Sequence, residues 1–238
     1  MLIGILETGR PAPALAGQYG TYADMVEVLL GGDPDLNFHR FWLPEEDCPE
    51  SASSCDAWVI TGSRCSVTEE QPWMLALESL LRKARDAKRP VIGLCFGHQI
   101  LAKAMGGHVA PAPNGWQLGL KDYELRDRPA WLAKAPERLR LNAIHQDQVL
   151  TPPPGATLLA NAPACPYAAL SYGNWAVSFQ AHPEFTVDFE KALLSAYVGV
   201  TLPEDSGRAA LADLAKPNAA TDSPLIAEGL LRFLRQQR

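Results

Sequence analysis

One cysteine in the chain stands where a predicted strand passes into a predicted helix. Cys95 lies between Gly93 and Gly97, after an uncharged apolar run (residues 91–94) and before helical spacing over residues 98–105. The apolar run is typical of a strand buried on both faces, as in a parallel sheet. The glycines permit a sharp turn, and a side chain on such a turn faces the first helical N–H groups, which favour an anion such as a thiolate. The pattern is that of a nucleophile elbow with cysteine in the serine position.

A cysteine nucleophile requires a base, and the base requires a group that orients it. His182 is the best-placed histidine because it follows an apolar strand candidate (residues 175–180), as Cys95 does, and Pro183 restricts the backbone beside it. Glu184, two residues further on, can accept a hydrogen bond from the second ring nitrogen. The spacing leaves open a plainer alternative, in which Cys95 is a buried and inert thiol.

The other histidines have weaker claims on such a site. His98 lies three residues after the cysteine on the predicted helix and is expected to turn away from the thiol. His145, in the segment A-I-H-Q-D, has polar neighbours and could line the site. His39 and His108 are expected to have structural roles.

The first hundred residues alternate strand and helix, which is typical of a doubly wound α/β sheet. The strand candidates are residues 2–6, 38–42, 57–61 and 91–94, and the helix candidates are 22–30, 73–87 and 98–105. Residues 9–20 are rich in proline and glycine and are predicted to form a loop. In such a sheet we expect Cys95 at the carboxyl end of a central parallel strand, with a strained or positive φ, and His182 at a neighbouring strand end.

The second half of the chain has shorter elements. Candidate strands cover residues 118–126, 140–144, 167–172 and 175–180, and candidate helices cover residues 187–198 and 223–235. Residues 201–222 are predicted to form a polar connection with one helical turn at 209–214. These patterns predict an open, mostly parallel sheet with helices on both faces and a C-terminal helical extension. The predicted division is a domain over residues 1–198 and an extension over residues 199–238.

Composition narrows the class of protein. The 238 residues carry a formal net charge of −6, with a pI near 5.4, which gives no basic field for nucleic acid or an anionic membrane. No run of 18 apolar residues or basic leader appears, and the five cysteines are an odd number, so we expect reduced thiols in a cytoplasmic protein. No zinc-binding cysteine spacing or phosphate-binding loop is present, so we expect neither a metal nor a cofactor.

Two segments carry a resemblance to a known family. G-L-C-F-G-H-Q (residues 93–99) and S-F-Q-A-H-P-E-F (178–185) resemble motifs of the class I, or triad, glutamine amidotransferases. The resemblance extends over about residues 1–195, including I-L-E-T-G at the start, I-T-G-S at 60–63 and H-x-D at 145–147. It is closest to the stand-alone branch similar to the amidotransferase domain of GMP synthase, and it implies a flavodoxin-like, three-layer fold.

The resemblance also implies a mechanism for the hydrolysis of glutamine to glutamate and ammonia. Cys95 would attack the side-chain amide and form a γ-glutamyl thioester, while His182, oriented by Glu184, would protonate the departing ammonia. The oxyanion would be bound by the backbone N–H of Phe96 and by the turn at Gly62 and Ser63. The substrate-binding residues implied are Gln99, which would contact the backbone end of the substrate, and His145.

One position departs from the family pattern. Many members have G-G-P in the loop that forms half of the oxyanion hole, where this chain has Gly62, Ser63 and Arg64. Ser63 keeps its N–H group, so the hole can still form. Arg64 could meet a substrate carboxylate, although a solvated loop arginine is the plainer alternative.

Three functions remain open from the sequence. A glutamine amidotransferase would act on a small-molecule substrate and could pass ammonia to a separate synthetase, because this chain shows no ATP-binding motif of its own. A stand-alone γ-glutamyl peptidase or hydrolase would use the same cysteine chemistry on a different leaving group. A non-catalytic regulatory module could also keep the fold without the activity.

Overall fold

The computed structural model describes residues 1–31, 33–45 and 47–236. The strands are β1 (Leu2–Glu7), β2 (Asn37–Trp42), β3 (Ala57–Ile60), β4 (Val91–Leu94), β5 (His108–Pro111), β6 (Gln117–Leu125), β7 (Arg138–His145), β8 (Asp147–Thr151), β9 (Thr157–Ala162), β10 (Cys165–Tyr172) and β11 (Ala176–Phe179). The helices are α1 (Pro13–Tyr19), α2 (Tyr22–Leu30), α3 (Pro72–Asp86), α4 (Phe96–Ala104), α5 (Val187–Tyr197), α6 (Glu204–Leu214) and α7 (Ser223–Arg235), and there are short 3₁₀ turns at Leu43–Glu45, Val67–Glu69 and Ala130–Leu132.

In the described part of the chain, nine strands form one mixed sheet in the order β2-β1-β3-β4-β11-β10-β9-β6-β7. The five strands from β2 to β11 are parallel, and the strands from β11 to β7 pair antiparallel. Strands β5 and β8 form a separate antiparallel pair. The predicted doubly wound sheet is therefore confirmed, and its parallel half contains the strand that leads into Cys95.

Helices cover both faces of the parallel strands. Alternate residues of β1 and β3 divide between two apolar clusters, with Ile3 and Val59 in one and Leu6 and Ile60 in the other. Helices α2 and α7 pack on the first face, and α3 and α4 on the second. Strands β3, β4 and β11 are buried along their whole length, as expected for strands covered on both sides.

The sequence signals for helix ends agree with the observed ends. Thr21 caps α2 and forms a reciprocal capping box with Asp24, and Gly31 ends the helix. Proline occupies the first turn of α3 and of α7, where its missing N–H group costs nothing. No helix among the described residues is long and apolar enough to cross a membrane.

Two segments predicted as connections contain helices, so these predictions were wrong. Residues 9–20 include α1, which begins at Pro13 and ends before Gly20, whose φ is +83°. Residues 201–222 include the three-turn helix α6 rather than a single turn. Strands β5, β8 and β9 were not predicted, because each is short or only partly apolar. The division of the chain at residue 198 stays a prediction.

Candidate active site

The turn between β4 and α4 holds Cys95 in a strained backbone conformation. Its φ is +52° and its ψ is −100°, a region that non-glycine residues seldom adopt. The glycines make the turn possible, since a Cβ on Gly93 would lie 2.5 Å from the carbonyl oxygen of Gly97, and one on Gly97 would lie 2.6 Å from that of Ile60. The predicted positive φ is confirmed, and Cys95 lies at the carboxyl end of β4, between β3 and β11.

Besides the His182 ring, two polar groups lie near the sulfur of Cys95. The carbonyl oxygen of Ile144 lies 3.9 Å from Sγ, and Nε2 of Gln180 lies 3.7 Å from it. Nε2 of Gln99 in turn donates to Oε1 of Gln180 at 3.3 Å, so an amide chain connects α4 to the sulfur. Gln180 was not predicted as a site residue, although it lies in the motif S-F-Q-A-H-P-E-F.

His182 and Glu184 form a buried pair beside the elbow. His182 follows β11, the neighbour of β4, and its backbone N–H donates to the carbonyl oxygen of Asn142 at 2.9 Å. Its Nδ1 lies 2.7 Å from Oε1 of Glu184, so Nδ1 is the donor and the carboxylate is the acceptor. The ring also stacks on Phe185, with centroids 3.9 Å apart and planes 8° apart. Its other nitrogen, Nε2, is buried and has no hydrogen-bond partner among the described residues.

The surroundings of His182 favour its protonated form. Burial alone would lower the pKa of His182, but the nearby sulfur of Cys95 and the carboxylate of Glu184 raise this pKa well above its usual value. The imidazole ring is therefore expected to carry a proton at neutral pH. A proton held beside the elbow is what an acid needs in order to protonate a departing amine.

The turn after β3 brings the predicted oxyanion residues to the same place. A Cβ on Gly62 would lie 3.0 Å from Cε1 of His182 and 3.9 Å from Cβ of Cys95, so the turn borders both residues directly. Ser63 is the next residue of this turn and also faces the cavity. Phe96 begins α4, and its backbone N–H therefore has no partner inside the helix.

The end of β1 fixes this turn in position. The backbone N–H of Thr8 donates to Oγ1 of Thr61 at 3.0 Å, and the Thr8 hydroxyl lies 3.1 Å from the carbonyl oxygen of Gly62. A Cβ on Gly9 would come within 2.9 Å of both the Gly62 carbonyl oxygen and Cα of Ser63. The two turns therefore pack backbone against backbone, which leaves the Gly62–Ser63 turn little room to move.

The two residues predicted to contact substrate share one anchor. Nε2 of Gln99 donates to the backbone carbonyl of Asp147 at 2.8 Å, and Nδ1 of His145 donates to the same carbonyl at 3.1 Å. Burial lowers the pKa of His145 to about 3, so the ring is neutral. Its Nε2 is buried without a hydrogen-bond partner in the described part of the chain. Both residues line the same cavity as Cys95.

That cavity has a volume of about 370 Å³, within the range of about 300–1,000 Å³ that is usual for small-molecule sites. Besides Phe185, three aromatic residues line it that were not predicted and that no spacing pattern marks in the sequence: Tyr22, Trp116 and Tyr197. Arg64 also lines the cavity, with its guanidinium carbon 5.1 Å from the centre of the Tyr197 ring. Arg64 is exposed, but its side chain contacts the Tyr197 ring and borders the cavity as well as the solvent.

His98 does not line the cavity, in agreement with the prediction that it turns away from the thiol. It is fully buried, and its Nδ1 lies 2.8 Å from the hydroxyl of Ser178 in β11, away from the cavity lining. Burial lowers its pKa to about 3. His39 and His108 lie in β2 and β5, apart from the residues that line the cavity. Among the residues that the structure describes, no group of three or more His, Cys, Asp or Glu side chains could hold a metal ion.

Comparison with protein families gives one match that covers most of the chain. Residues 36–196 match the family described as glutamine amidotransferase class-I. A glutamine amidotransferase-like protein of Schizosaccharomyces pombe is 28% identical over 98% of each chain. Gamma-glutamyl peptidase 5 of Arabidopsis thaliana is 30% identical over 87% of this chain and 83% of its own. A GMP synthase of Aeropyrum pernix is 38% identical over 40% of this chain, but over only 19% of that enzyme.

Solved structures share the fold at low sequence identity. The crystal structure of a glutamine amidotransferase from Thermotoga maritima has a TM-score of 0.75 at 21% identity, covering 98% of this chain and 96% of that one. A glutamine amido transferase from Methylobacillus flagellatus has a TM-score of 0.70 at 23% identity, covering 99% and 94%.

Proposed function

The chain belongs to the class I glutamine amidotransferase family, and from this membership we propose that it hydrolyses a γ-glutamyl amide bond with Cys95 as the nucleophile. The proposal rests on one observation: the residues that follow β4 and those that follow β11 line the same cavity. One strand end holds the strained cysteine, and the other holds the buried His182–Glu184 pair. Neither strain nor buried charge is needed for folding, and both are common at catalytic sites.

In the proposed reaction, the sulfur of Cys95 attacks the side-chain amide carbon of the γ-glutamyl group. The backbone N–H groups of Phe96 and the Gly62–Ser63 turn would stabilise the negative charge that develops on the carbonyl oxygen. His182 would give its proton to the departing amine as the C–N bond breaks, which leaves a γ-glutamyl thioester. Water would then attack the thioester, with the same ring accepting a proton, and glutamate would be released.

The residues around His182 have separate roles in this proposal. Glu184 fixes the ring through Nδ1 and raises the pKa of His182, so that the ring is charged before the substrate arrives. Phe185 stacks on the ring and limits its tilt. Gln99 and His145, both anchored on the Asp147 carbonyl, would contact the amino acid end of the γ-glutamyl group.

A second function has support from the comparisons. Relatives that match most of the chain include proteins named gamma-glutamyl peptidase, whereas the match to GMP synthase covers a small part of that enzyme. We therefore propose a stand-alone γ-glutamyl peptidase as the alternative to a glutaminase that passes ammonia to a separate synthetase. The cysteine chemistry is the same, and only the leaving group differs.

The test is to incubate the pure protein with glutamine and, separately, with γ-glutamyl dipeptides, and to measure the glutamate released. The proposal expects release from at least one substrate class, and loss of that release in Cys95→Ala. Cys48→Ala is the matched control, because Cys48 is a half-buried thiol outside the cavity lining. Faster cleavage of dipeptides than of glutamine favours the peptidase. Equal activity in Cys95→Ala and the native protein would refute the mechanism.

A further inference from the structure

The cavity has one positively charged wall that the proposed reaction does not use. Arg64 is held at this wall by its contact with Tyr197, with 5.1 Å between the guanidinium carbon and the ring centre. A cation over an aromatic face is attracted to it, yet its N–H groups remain free to bind in the plane of the guanidinium. Among the described residues, no carboxylate lies within ion-pair distance of Arg64. Arg64 is therefore a positioned cation in the cavity that has no ion-pair partner among the described residues.

The acidic side chains that line the cavity, Asp147 and Glu69, accept hydrogen bonds from Ser66 and form no ion pair with Arg64. Asp147 accepts a short hydrogen bond from the hydroxyl of Ser66. Glu69 accepts from the backbone N–H of Ser66 at 2.8 Å. This acidic group adjoins Gln99, which donates to the Asp147 carbonyl. The acidic side suits the amino group of a γ-glutamyl substrate, and the Arg64 wall is left for a different part of the ligand.

Tyr22 lines the cavity together with Arg64 and Cys95. Its side chain packs on Phe185, with ring centroids 5.5 Å apart. Burial raises the pKa of Tyr22 first, and the charges of Cys95 and Glu184 raise it further, whereas the charge of Arg64 lowers it. Tyr22, Arg64 and Cys95 line one cavity, so a single small substrate bound there can face both the sulfur and the guanidinium.

Three residues that line the cavity, unlike Arg64 itself, lie beyond the part of the chain that the family model matches. Tyr197, Thr201 and Leu202 all line the cavity and follow residue 196, where the family match ends. Arg64 stands at the third position of the loop that is G-G-P in many members of the family. Differences between members of one family in the same cavity are expected where the leaving group is recognised, because the γ-glutamyl half is common to all of them.

We propose that Arg64, held over Tyr197, binds a carboxylate of the leaving group, so that the preferred substrates are γ-glutamyl peptides whose leaving part ends in a free carboxylate. This inference rests on the proposed function and names the substrate class of the same site. A guanidinium binds a carboxylate through two parallel hydrogen bonds. Because the tyrosine ring already restricts the Arg64 side chain, the side chain loses less conformational entropy when the carboxylate binds. Ammonia, the leaving group of glutamine, has no carboxylate and would leave Arg64 unused.

The test compares two substrates that differ only at that carboxylate: γ-glutamylglycine and γ-glutamylglycinamide. The native protein is expected to cleave γ-glutamylglycine with a kcat/KM about 10- to 100-fold higher, as one charge-assisted hydrogen-bonded pair allows. The same comparison is made with γ-glutamylcysteinylglycine and its C-terminal amide, because the leaving part is then one residue longer. Arg64→Gln should bring the ratio of kcat/KM values close to one, and Arg64→Lys should keep part of it.

The outcomes separate this inference from the function on which it rests. A ratio of about ten or more in either pair, lost in Arg64→Gln, supports the inference. A ratio near one in both pairs overturns it while the proposed hydrolysis stands. An equal loss on acid and amide in Arg64→Gln also overturns it, since Arg64 would then bind the carboxylate of the γ-glutamyl half. Failure of the native protein to cleave glutamine and all four peptides would remove the proposed function, and the inference with it.

Discussion

Glu190 is a fully buried carboxyl group on α5 whose charge the fold compensates only in part. Its Oε1 accepts a hydrogen bond from the backbone N–H of Gly119 on β6 at 3.3 Å, and its Oε2 has no hydrogen-bond partner among the described residues. The groups that act on it are His182 and Glu184 after β11, and Tyr123 on β6 also feels its charge. Replacement of Glu190 by Gln keeps an acceptor for Gly119 and removes the charge.

The pKa of Glu190 sets the sign of the expected effect. The pKa of Glu190 is raised from 4.5 to about 7: burial is the largest cause and Glu184 adds to the rise, while His182 and the Gly119 N–H oppose it. Between these two pH values the native state holds a proton that the unfolded chain has lost, so the stability contribution of Glu190 falls as the pH rises. At about 1.4 kcal/mol for each pH unit, the full loss is about 3 kcal/mol, and it is complete only above the folded-state pKa.

Urea unfolding at pH 5 and pH 8 measures this contribution. The free energy of unfolding of Glu190→Gln minus that of the native protein should be about 2–3 kcal/mol higher at pH 8 than at pH 5, so the variant gains relative stability as the pH rises. Glu137→Gln is the matched control, because Glu137 is exposed and forms no ion pair in the described part of the chain. If the native protein and Glu190→Gln differ by the same amount at both pH values, Glu190 does not hold a proton in the native state, and the reasoning fails.

Three further substitutions test the site and its support. Glu184→Gln removes a charge that raises the pKa of His182, so kcat should fall by about 10²–10⁴ and the pH optimum should move lower; an unchanged pH profile contradicts the role given to Glu184. In Gly62→Ala the new Cβ would lie 3.0 Å from Cε1 of His182, so kcat should fall by up to about a hundredfold while the thermal midpoint is kept, and native kcat would show that the ring moves freely. Gly119 and Gly115 both have a positive φ, +76° and +68°, but a Cβ on Gly119 would lie 2.8 Å from a Cβ of α6, whereas Gly115 has open space around it. Gly119→Ala should therefore lower the free energy of unfolding in urea by about 1–3 kcal/mol more than Gly115→Ala does. Equal losses in the two variants would refute the packing argument.

The parts of the fold that the sequence predicted well are those where one pattern has one physical cause. A strand buried on both faces is mostly apolar, so β3 and β4 are continuous apolar runs and β11 has a single polar residue, Ser178, which pairs with His98. The elbow at Cys95 was predictable because two glycines flank one cysteine at the end of such a strand. The capped start of α2 was predictable because Thr21 and Asp24 have the spacing of a capping box.

The parts that the sequence did not predict depend on tertiary contacts. Helix α6 packs mainly through two small residues, Gly207 and Ala210, and fully buries only one large apolar residue, Leu214. A Cβ on Gly207 would lie 2.3 Å from Val198, so this close contact requires glycine and gives no apolar periodicity in the sequence. The contact of Arg64 with Tyr197 joins residues more than a hundred positions apart, and no spacing rule connects them.

The central claim is that Cys95 carries the γ-glutamyl group during hydrolysis. The most direct measurement is mass spectrometry of the protein after rapid mixing with a γ-glutamyl substrate and an acid quench, which preserves a thioester. We predict one added γ-glutamyl group on the peptide that contains Cys95, formed at a rate no slower than turnover and absent from Cys95→Ala. Steady release of glutamate without this adduct, or with an adduct on another residue, would contradict the claim.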